Sequence, residues 1–172
     1  FALSGSAITC EFDIDEHLWA ADFDKGQIEQ VIDNLVINAQ QAMPTGGKIS
    51  LKATNLKLQN GDHPLLKPGK YIRISIIDTG TGMAPDVLQR IFDPFFSTRQ
   101  KGNGLGLTTC YAIVQKHSGM IDVESAIGKG STFHIFLPAS PRVPDHDDQP
   151  VPENHSGKGC ILIMDDEAFV RT

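Results

Sequence analysis

Two asparagines and a glutamine form the first chemically unusual pattern in the sequence. Gln30, Asn34 and Asn38 recur every four residues within a segment of helical periodicity, so they lie on one line of a helix. Asparagine is a mediocre helix former, so two on one line need a reason. Their amide oxygens could help to hold a hard cation such as Mg²⁺, although an ordinary solvated helix face would show the same residues.

A single aspartate follows the clearest strand-like run of the chain. Asp78 ends that run and precedes Gly80 and Gly82. A carboxylate there could accept a hydrogen bond from an exocyclic amine, while the glycines would let a planar group approach the backbone. An ordinary loop that begins with a capping aspartate is equally consistent with this pattern.

A glycine-rich loop opens the last helical segment. Gly102, Gly104 and Gly106 follow Lys101 with the spacing G-x-G-x-G. Backbone N–H groups at a helix N-terminus attract anions, and glycines let phosphates come close, so a phosphate-binding loop is plausible. The dinucleotide fingerprint needs a preceding strand and the spacing G-x-G-x-x-G, and no Walker-type G-K-[ST] is present. Both of those nucleotide-binding folds are therefore disfavoured.

Aromatic residues are concentrated between these two glycine-containing segments. Phe92, Phe95 and Phe96 lie within five residues of one another. They could pack in the core, or they could anchor a mobile flap over a ligand. The residue pattern alone does not separate these interpretations.

Hydrophobic periodicity predicts the elements that must position these residues. A helix begins after Asp24, a candidate N-cap, and ends before the breaker sequence Met43-Pro44-Thr45-Gly46-Gly47. Strands are predicted at 7–12, 17–22, 49–53, 71–77, 120–126 and 131–137, with the first two forming a pair. A short helix is predicted at 85–91, and a second amphipathic helix from Leu107 to near Gly119.

Composition limits the class of protein. The chain has 172 residues, a formal net charge of −6 and 40% hydrophobic residues, which suits a globular domain without a basic surface for nucleic acid or anionic membranes. It has no apolar run long enough for a membrane span and no secretory signal. The spacing of Cys10, Cys110 and Cys160 fits no disulfide framework and no zinc site. We therefore expect a reducing compartment, and we expect no metal held by His or Cys.

The chain divides into three parts by composition. Residues 1–138 form the compact region, and residues 139–158 are rich in proline and acidic residues, which is typical of a linker. Residues 159–172 contain a short apolar run followed by Asp165 and Asp166. This last segment is expected to begin a further domain.

The motifs taken together are far more specific than each alone. The set consists of Asn34-Leu-Val-Ile-Asn38-Ala39, Asp78-Thr-Gly80-Thr-Gly82, Phe92-Asp-Pro-Phe-Phe96 and Gly102-Asn-Gly104-Leu-Gly106-Leu. In order and spacing it resembles the N, G1, F and G2 boxes of sensor histidine kinases. Gly130-Ser131-Thr132-Phe133 is similar to the closing motif of that family, and the resemblance covers about residues 6–138.

The resemblance implies a fold and a set of residue roles. The fold would be an α+β two-layer sandwich, in which a mixed, mostly antiparallel sheet of about five strands carries three helices on one face. Asn38 would coordinate Mg²⁺, Asn34 would lie against the phosphates of ATP, and Asp78 would bind the adenine amino group. The remaining nucleotide contacts would come from Gly80 and Gly82 beside the base, from Gly102, Gly104 and Gly106 at the phosphates, and from Ala42, Met83, Phe95, Lys101, Leu105, Leu107 and Thr132, with residues 93–103 as a lid.

The resemblance also implies a reaction and partners. The chain would be the ATP-binding catalytic domain of a hybrid histidine kinase, which transfers the γ-phosphoryl group to a histidine on an upstream dimerisation domain. The tail would begin a receiver domain, with Asp165 and Asp166 as its acidic pair, and the kinase would work in the cytoplasm. Hydrolysing relatives carry a glutamate at the position of Asn34, and an amide cannot act as a general base. An ATP-hydrolysing relative and a degenerate binding module are the alternatives.

Overall fold

Five strands and three helices make up the part of the chain described by the computed structural model, residues 7–98 and 103–140. In chain order they are β1 Ile8–Ile14, α1 Lys25–Gln41, β2 Gly47–Leu58, β3 Gly69–Asp78, α2 Pro85–Leu88, α3 Gly106–Lys116, β4 Met120–Ala126 and β5 Gly130–Pro138. Within these residues, no helix combines the length and the apolar character that crossing a lipid bilayer requires.

The strands form one mixed sheet in the order β1-β2-β3-β5-β4. β1 and β2 are parallel because α1 connects them, and the other three pairs are antiparallel. Alternate strand residues point to opposite faces, so Ile76 of β3 and Ile135 of β5 meet the helices in the core. The predicted mixed, mostly antiparallel sheet with helices on one face is confirmed.

Helix α1 follows the sequence prediction closely. The side chain of Asp24 accepts a hydrogen bond from the backbone N–H of Gln27 at 2.9 Å, as a helix N-cap does. Val31 and Leu35 lie fully buried on the core side of the helix, where they contact α3 and the sheet. Asn34 and Asn38 lie half-buried at the border of this core-facing side.

The predicted strand at residues 17–22 is absent, because His17 lies in a turn and residues 18–22 have no regular secondary structure. The N–H of Trp19 donates to the side-chain oxygen of Asn55 at 2.8 Å, and the amide of Asn55 donates to the carbonyl of His17 at 2.8 Å. One side chain thus satisfies two backbone groups of this segment that a neighbouring strand could otherwise have paired. The predicted pairing of 7–12 with 17–22 is wrong, because β1 pairs with β2 instead.

Two element lengths also differ from the prediction. Helix α2 ends at Leu88 rather than residue 91, where the chain tightens as the N–H of Arg90 donates to the carbonyl of Val87 at 2.9 Å. β2 extends well past residue 53, because β3 pairs with it from Ile49 to Leu58. Local sequence patterns predict where these elements lie, whereas contacts with other parts of the fold determine where they end.

Candidate functional site

A cleft of about 580 Å³ lies between α1, the loop after β3 and the start of α3. It brings together residues that are far apart in the sequence. Its predicted lining residues are Asn34, Asn38, Ala42, Asp78, Gly82, Met83, Gly104, Leu105, Gly106 and Leu107. Most of the predicted site is therefore one continuous surface.

The two asparagines of α1 lie one turn apart on the wall of this cleft. The side-chain oxygen of Asn34 is 3.8 Å from the place where a Cβ on Gly106 would lie, so Asn34 reaches across to the first turn of α3. Beneath it, the buried thiol of Cys110 donates to the carbonyl of Val31 at 3.7 Å and lies close to the side chain of Asn34. Burial raises the pKa of the Cys110 thiol to about 11, so it stays neutral.

Asp78 lies at the other end of the cleft and is only 5% exposed. Its Oδ1 accepts hydrogen bonds from the backbone N–H groups of Gly80 at 2.8 Å and Ser131 at 3.2 Å. Burial raises the pKa of this carboxyl, and the hydrogen bonds from Gly80 and Ser131 oppose that rise. Since both N–H groups bind Oδ1, the second carboxylate oxygen has capacity to accept a ligand donor.

The loop after Asp78 needs glycine for two different reasons. A Cβ on Gly80 would lie 2.7 Å from the Cβ of Ala42, so a side chain there would push the loop away from α1. Gly82 has a φ of 65°, and a Cβ on it would overlap the carbonyl oxygen of Ala126 in the β4–β5 hairpin. The two glycines hold the loop between α1 and the hairpin.

The start of α3 forms the remaining wall of the cleft. Its N-cap, Leu105, makes no side-chain capping hydrogen bond, so the first N–H groups of the helix lack that partner. Gly104 has a φ of 64°, and a Cβ on it would overlap the backbone of Phe95. The N–H of Phe95 donates to the carbonyl of Gly104 at 3.0 Å, which ties the two segments together. This geometry suits an anionic ligand at the helix N-terminus.

Acidic and metal-ligating side chains are scarce near the cleft. Among the described residues that line it, Asp78 carries the single carboxylate. Across residues 7–98 and 103–140, no three His, Cys, Asp or Glu side chains come close enough together to hold a metal ion. A cation in this cleft would therefore depend on amide oxygens and on oxygens of the ligand itself.

Comparison with known families agrees with this geometry. The sequence profile of the family described as histidine kinase-, DNA gyrase B- and HSP90-like ATPase matches residues 23–141, which include every described wall of the cleft. The chain belongs to this family. Its ATP-binding domain is of the histidine kinase type, because the relatives it matches are named sensor kinases.

The individual relatives of this ATPase-family domain are sensor kinases. Sensor kinase CckA of Brucella abortus is 40% identical over 98% of this chain, which spans 19% of that protein. The mycobacterial sensor histidine kinase MprB has a similar structure, with a TM-score of 0.62 and 26% identity over 79% of this chain and 85% of that one. Full-length ShkA, solved in complex with AMPPNP, gives a TM-score of 0.61 and 27% identity over 77% of this chain and 26% of that one. The chain thus spans about a fifth of the length of CckA.

Several residues predicted to contact the ligand are not among the described lining residues of the cleft. Thr132 does not line the cleft, whereas its neighbours Ser131 and Phe133 do, because alternate residues of β5 face opposite sides of the sheet. Phe95 is 77% exposed, and Phe96 lines the cleft in its place. Gly80 lies behind the lining, against Ala42. Lys101, Gly102, Asp165 and Asp166 lie outside the described residues.

Sequence reasoning missed two serines at the aspartate end of the site. Ser131 hydrogen-bonds Asp78, and Ser125 of β4 hydrogen-bonds Ser131 through their hydroxyls at 3.0 Å. The alternation of buried residues in β5 could have found Ser131, since it shares a face with Phe133. No local signal marks Ser125, because its partners come from other elements.

Proposed function

We propose that this chain binds Mg²⁺-ATP in the cleft and is the catalytic domain of a histidine kinase, which transfers the γ-phosphoryl group to a histidine. The observation that carries the proposal is the distribution of groups in the described cleft. Its one carboxylate, Asp78, binds backbone N–H groups at one end, and the α1 edge carries amides at Asn34 and Asn38. Amides can position phosphates without activating water, so the site favours transfer over hydrolysis.

Asp78 is proposed to bind the adenine base. Its Oδ1 is already used by Gly80 and Ser131, so the other oxygen would accept the hydrogen bond of the adenine amino group. Gly82 and Met83 line the same end of the cleft. A glycine there leaves room for the planar base against the backbone. The binding of AMPPNP by ShkA, which has a similar structure, supports an adenine nucleotide in this cleft.

The phosphates are proposed to lie between α1 and the start of α3. Gly104, Leu105 and Gly106 would offer backbone N–H groups, and Asn34 would approach from α1. A helix N-terminus stabilises negative charge through its unpaired N–H groups and its dipole. Lys101 and Gly102 of the preceding loop are proposed as further phosphate contacts, on the sequence pattern alone.

Asn38 is proposed to be the protein ligand of Mg²⁺. Its side chain lines the cleft one helical turn from Asn34, and an amide oxygen is a ligand that Mg²⁺ accepts. Mg²⁺ commonly keeps several waters and takes its other ligands from substrate phosphates, so one protein ligand fits the scarcity of carboxylates here. The bound cation would neutralise charge on the phosphates during transfer.

The phosphate acceptor is proposed to be a histidine of a helical dimerisation domain that this sequence does not include. No described histidine lines the cleft. His117 instead accepts a hydrogen bond from the backbone N–H of Asp24 at 3.0 Å, and His134 hydrogen-bonds Ser75 at 2.8 Å. These two rings have structural partners away from the cleft.

Residues 159–172 are proposed to begin a receiver domain, with Asp165 and Asp166 as its acidic pair. The similarity to CckA covers 98% of the chain and therefore continues beyond the ATPase-family match, which ends at 141. We also propose that the protein works in the cytoplasm. The unpaired thiols of Cys10 and Cys110 are compatible with a reducing compartment.

The decisive experiment mixes this chain with a separately produced helical phosphoacceptor domain of the same kinase and with radiolabelled Mg²⁺-ATP. We expect acid-labile, base-stable phosphohistidine on the acceptor, and negligible release of phosphate from the chain alone. An Asp78→Asn variant should not phosphorylate the acceptor, and Asp62→Asn on the exposed β2–β3 loop serves as the matched control. Rapid ATP hydrolysis by the chain alone would instead identify an ATPase.

A further inference from the structure

The Ser125 hydroxyl joins three parts of the structure at the Asp78 end of the cleft. It accepts a hydrogen bond from the backbone N–H of Met83 at 2.9 Å. It also lies 3.0 Å from the hydroxyl of Ser131 and 3.0 Å from the carbonyl oxygen of Gly130. A single side chain on β4 thus connects the loop after β3 to the start of β5.

The chemistry of these groups gives the hydrogen bonds a direction. The backbone N–H of Ser131 donates to Oδ1 of Asp78 at 3.2 Å. The Ser125 hydroxyl donates its one proton to the carbonyl oxygen of Gly130 at 3.0 Å, because a carbonyl can only accept. The Ser125 oxygen accepts from the N–H of Met83 and, with its own proton used, from the Ser131 hydroxyl at 3.0 Å. Ser125 therefore ties Met83 and Gly130 to Ser131, whose backbone binds Asp78.

Backbone contacts lock the same two segments together. The N–H of Gly128 in the β4–β5 hairpin donates to the carbonyl of Thr81 at 2.7 Å. Gly82 touches the hairpin so closely that a Cβ would overlap the carbonyl of Ala126. The loop that lines the aspartate end of the cleft is thus held by the hairpin on which Ser125 lies.

We propose that Ser125 is a positioning residue that makes this cleft select adenine over guanine nucleotides. The inference rests on the proposed function, in which Asp78 accepts the amino group of adenine. At that position guanine carries a carbonyl oxygen, which an oriented carboxylate would repel. Ser125 orients Asp78 through Ser131 and holds the backbone of Met83 beside the base, so loss of its hydroxyl weakens the discrimination between the two bases.

The experiment measures equilibrium binding of Mg²⁺-ATP, Mg²⁺-GTP and inorganic triphosphate by calorimetry to the 172-residue chain and its variants. Ser125→Ala should bind ATP about five- to tenfold more weakly, as expected for one lost hydrogen bond, and triphosphate as the wild type does. GTP binding should stay level or improve, so the ATP-to-GTP preference should fall by at least the same factor. A merely structural role would weaken all three ligands alike.

Two further variants separate the hydroxyl from the shape of the side chain. Ser125→Thr and Ser125→Val have the same shape and differ in the hydroxyl alone. The threonine variant should keep the wild-type preference for ATP, and the valine variant should lose it, with circular dichroism showing that both are folded. This pair gives the answer even when Ser125→Ala does not fold.

A matched control removes a serine hydroxyl at the opposite end of the sheet. Ser140 donates to Asp22 at 2.9 Å just after β5 ends, so Ser140→Ala should leave nucleotide preference unchanged. An unchanged ATP-to-GTP preference in Ser125→Ala or Ser125→Val would overturn the inference while leaving ATP binding by the wild type intact. Failure of the wild type to bind ATP at all would instead overturn the proposed function.

Discussion

Replacing Asp78 by asparagine changes one polar group at the buried end of the cleft and almost nothing in its shape. The amide oxygen of asparagine can still accept the hydrogen bonds that Gly80 and Ser131 donate at 2.8 and 3.2 Å. The other carboxylate oxygen, which is proposed to accept the adenine amine, becomes an NH₂ group. Two donors would then face each other where a donor and an acceptor met.

The expected loss of affinity follows from that geometry. A hydrogen bond to a charged acceptor is worth about 1.5–3 kcal/mol, which corresponds to roughly ten- to 150-fold in the dissociation constant. The upper part of this range is expected, because the carboxylate is 5% exposed and water cannot easily replace the lost partner. Asp78→Asn should therefore bind ATP on the order of 100-fold more weakly.

Stability should respond in the opposite sense to affinity. Burial raises the pKa of the Asp78 carboxyl, so the folded chain binds a proton more readily than the unfolded chain. The contribution of this group to the free energy of unfolding therefore falls as pH rises from the unfolded pKa through the folded pKa, and it remains lower at neutral pH. Asparagine does not titrate, so Asp78→Asn should be at least as stable as the wild type at pH 7.

The assay pairs calorimetric ATP binding with thermal unfolding at neutral and acidic pH. Asp62→Asn is the control, because Asp62 also accepts a backbone N–H, from Gln59 at 2.7 Å, but lies exposed on the β2–β3 loop. It should leave ATP binding unchanged. Wild-type affinity in a folded Asp78→Asn chain would refute the assignment of Asp78 to the adenine amine.

Three further predictions test other parts of the site. Gly82→Ala should lower the free energy of unfolding by several kcal/mol, and the control Gly61→Ala by about 1 kcal/mol. Both glycines have positive φ, but of the two it is Gly82 whose added Cβ would overlap a neighbouring carbonyl. Equal losses in chemical denaturation would contradict this. Asn38→Ala should bind ATP with nearly the same affinity in Mg²⁺ and in EDTA, whereas the ATP affinity of the wild type should fall in EDTA. An equally large fall in the variant would exclude Asn38 as the Mg²⁺ ligand. At pH 8 an alkylating reagent should label exposed Cys10 and spare buried Cys110. The Cys110 pKa of about 11 leaves about one thiol in a thousand ionised at that pH. Peptide mapping with and without denaturant measures the labelling of both cysteines.

Local patterns were sufficient wherever a residue's role depends on its own element. The periodicity of α1 and the N-cap at Asp24 placed Asn34 and Asn38 on one edge, and the structure has them there. Asp78 followed from its place at the end of an apolar strand. Helical and strand periodicities are properties of a few consecutive residues, so they can be read without knowing the fold.

The predicted strand at 17–22 was wrong, and the predicted set of lining residues was incomplete, because partners from other elements decide both. Residues 17–22 resemble a strand, but the side chain of Asn55 satisfies two backbone groups that a neighbouring strand could have paired. Thr132 lies in the right motif, but the pairing of β5 with β3 places Ser131 against Asp78. Residues 17–22 contain no sign that Asn55 will bind them, and the residues of β5 contain no sign of their register with β3.

The sequence by itself determined the composition of this site: two amides on one helical edge, one aspartate and a glycine-rich helix start, in the order of a histidine kinase ATP-binding domain. The tertiary structure alone decided which neighbours face the cleft, that Ser131 binds Asp78 with Ser125 beside it, and that Cys110 lies beneath Asn34. The physical reason is the range of the interactions involved. Periodicity comes from the covalent geometry of nearby residues, whereas hydrogen bonds between hydroxyls on different strands exist only after the sheet has formed.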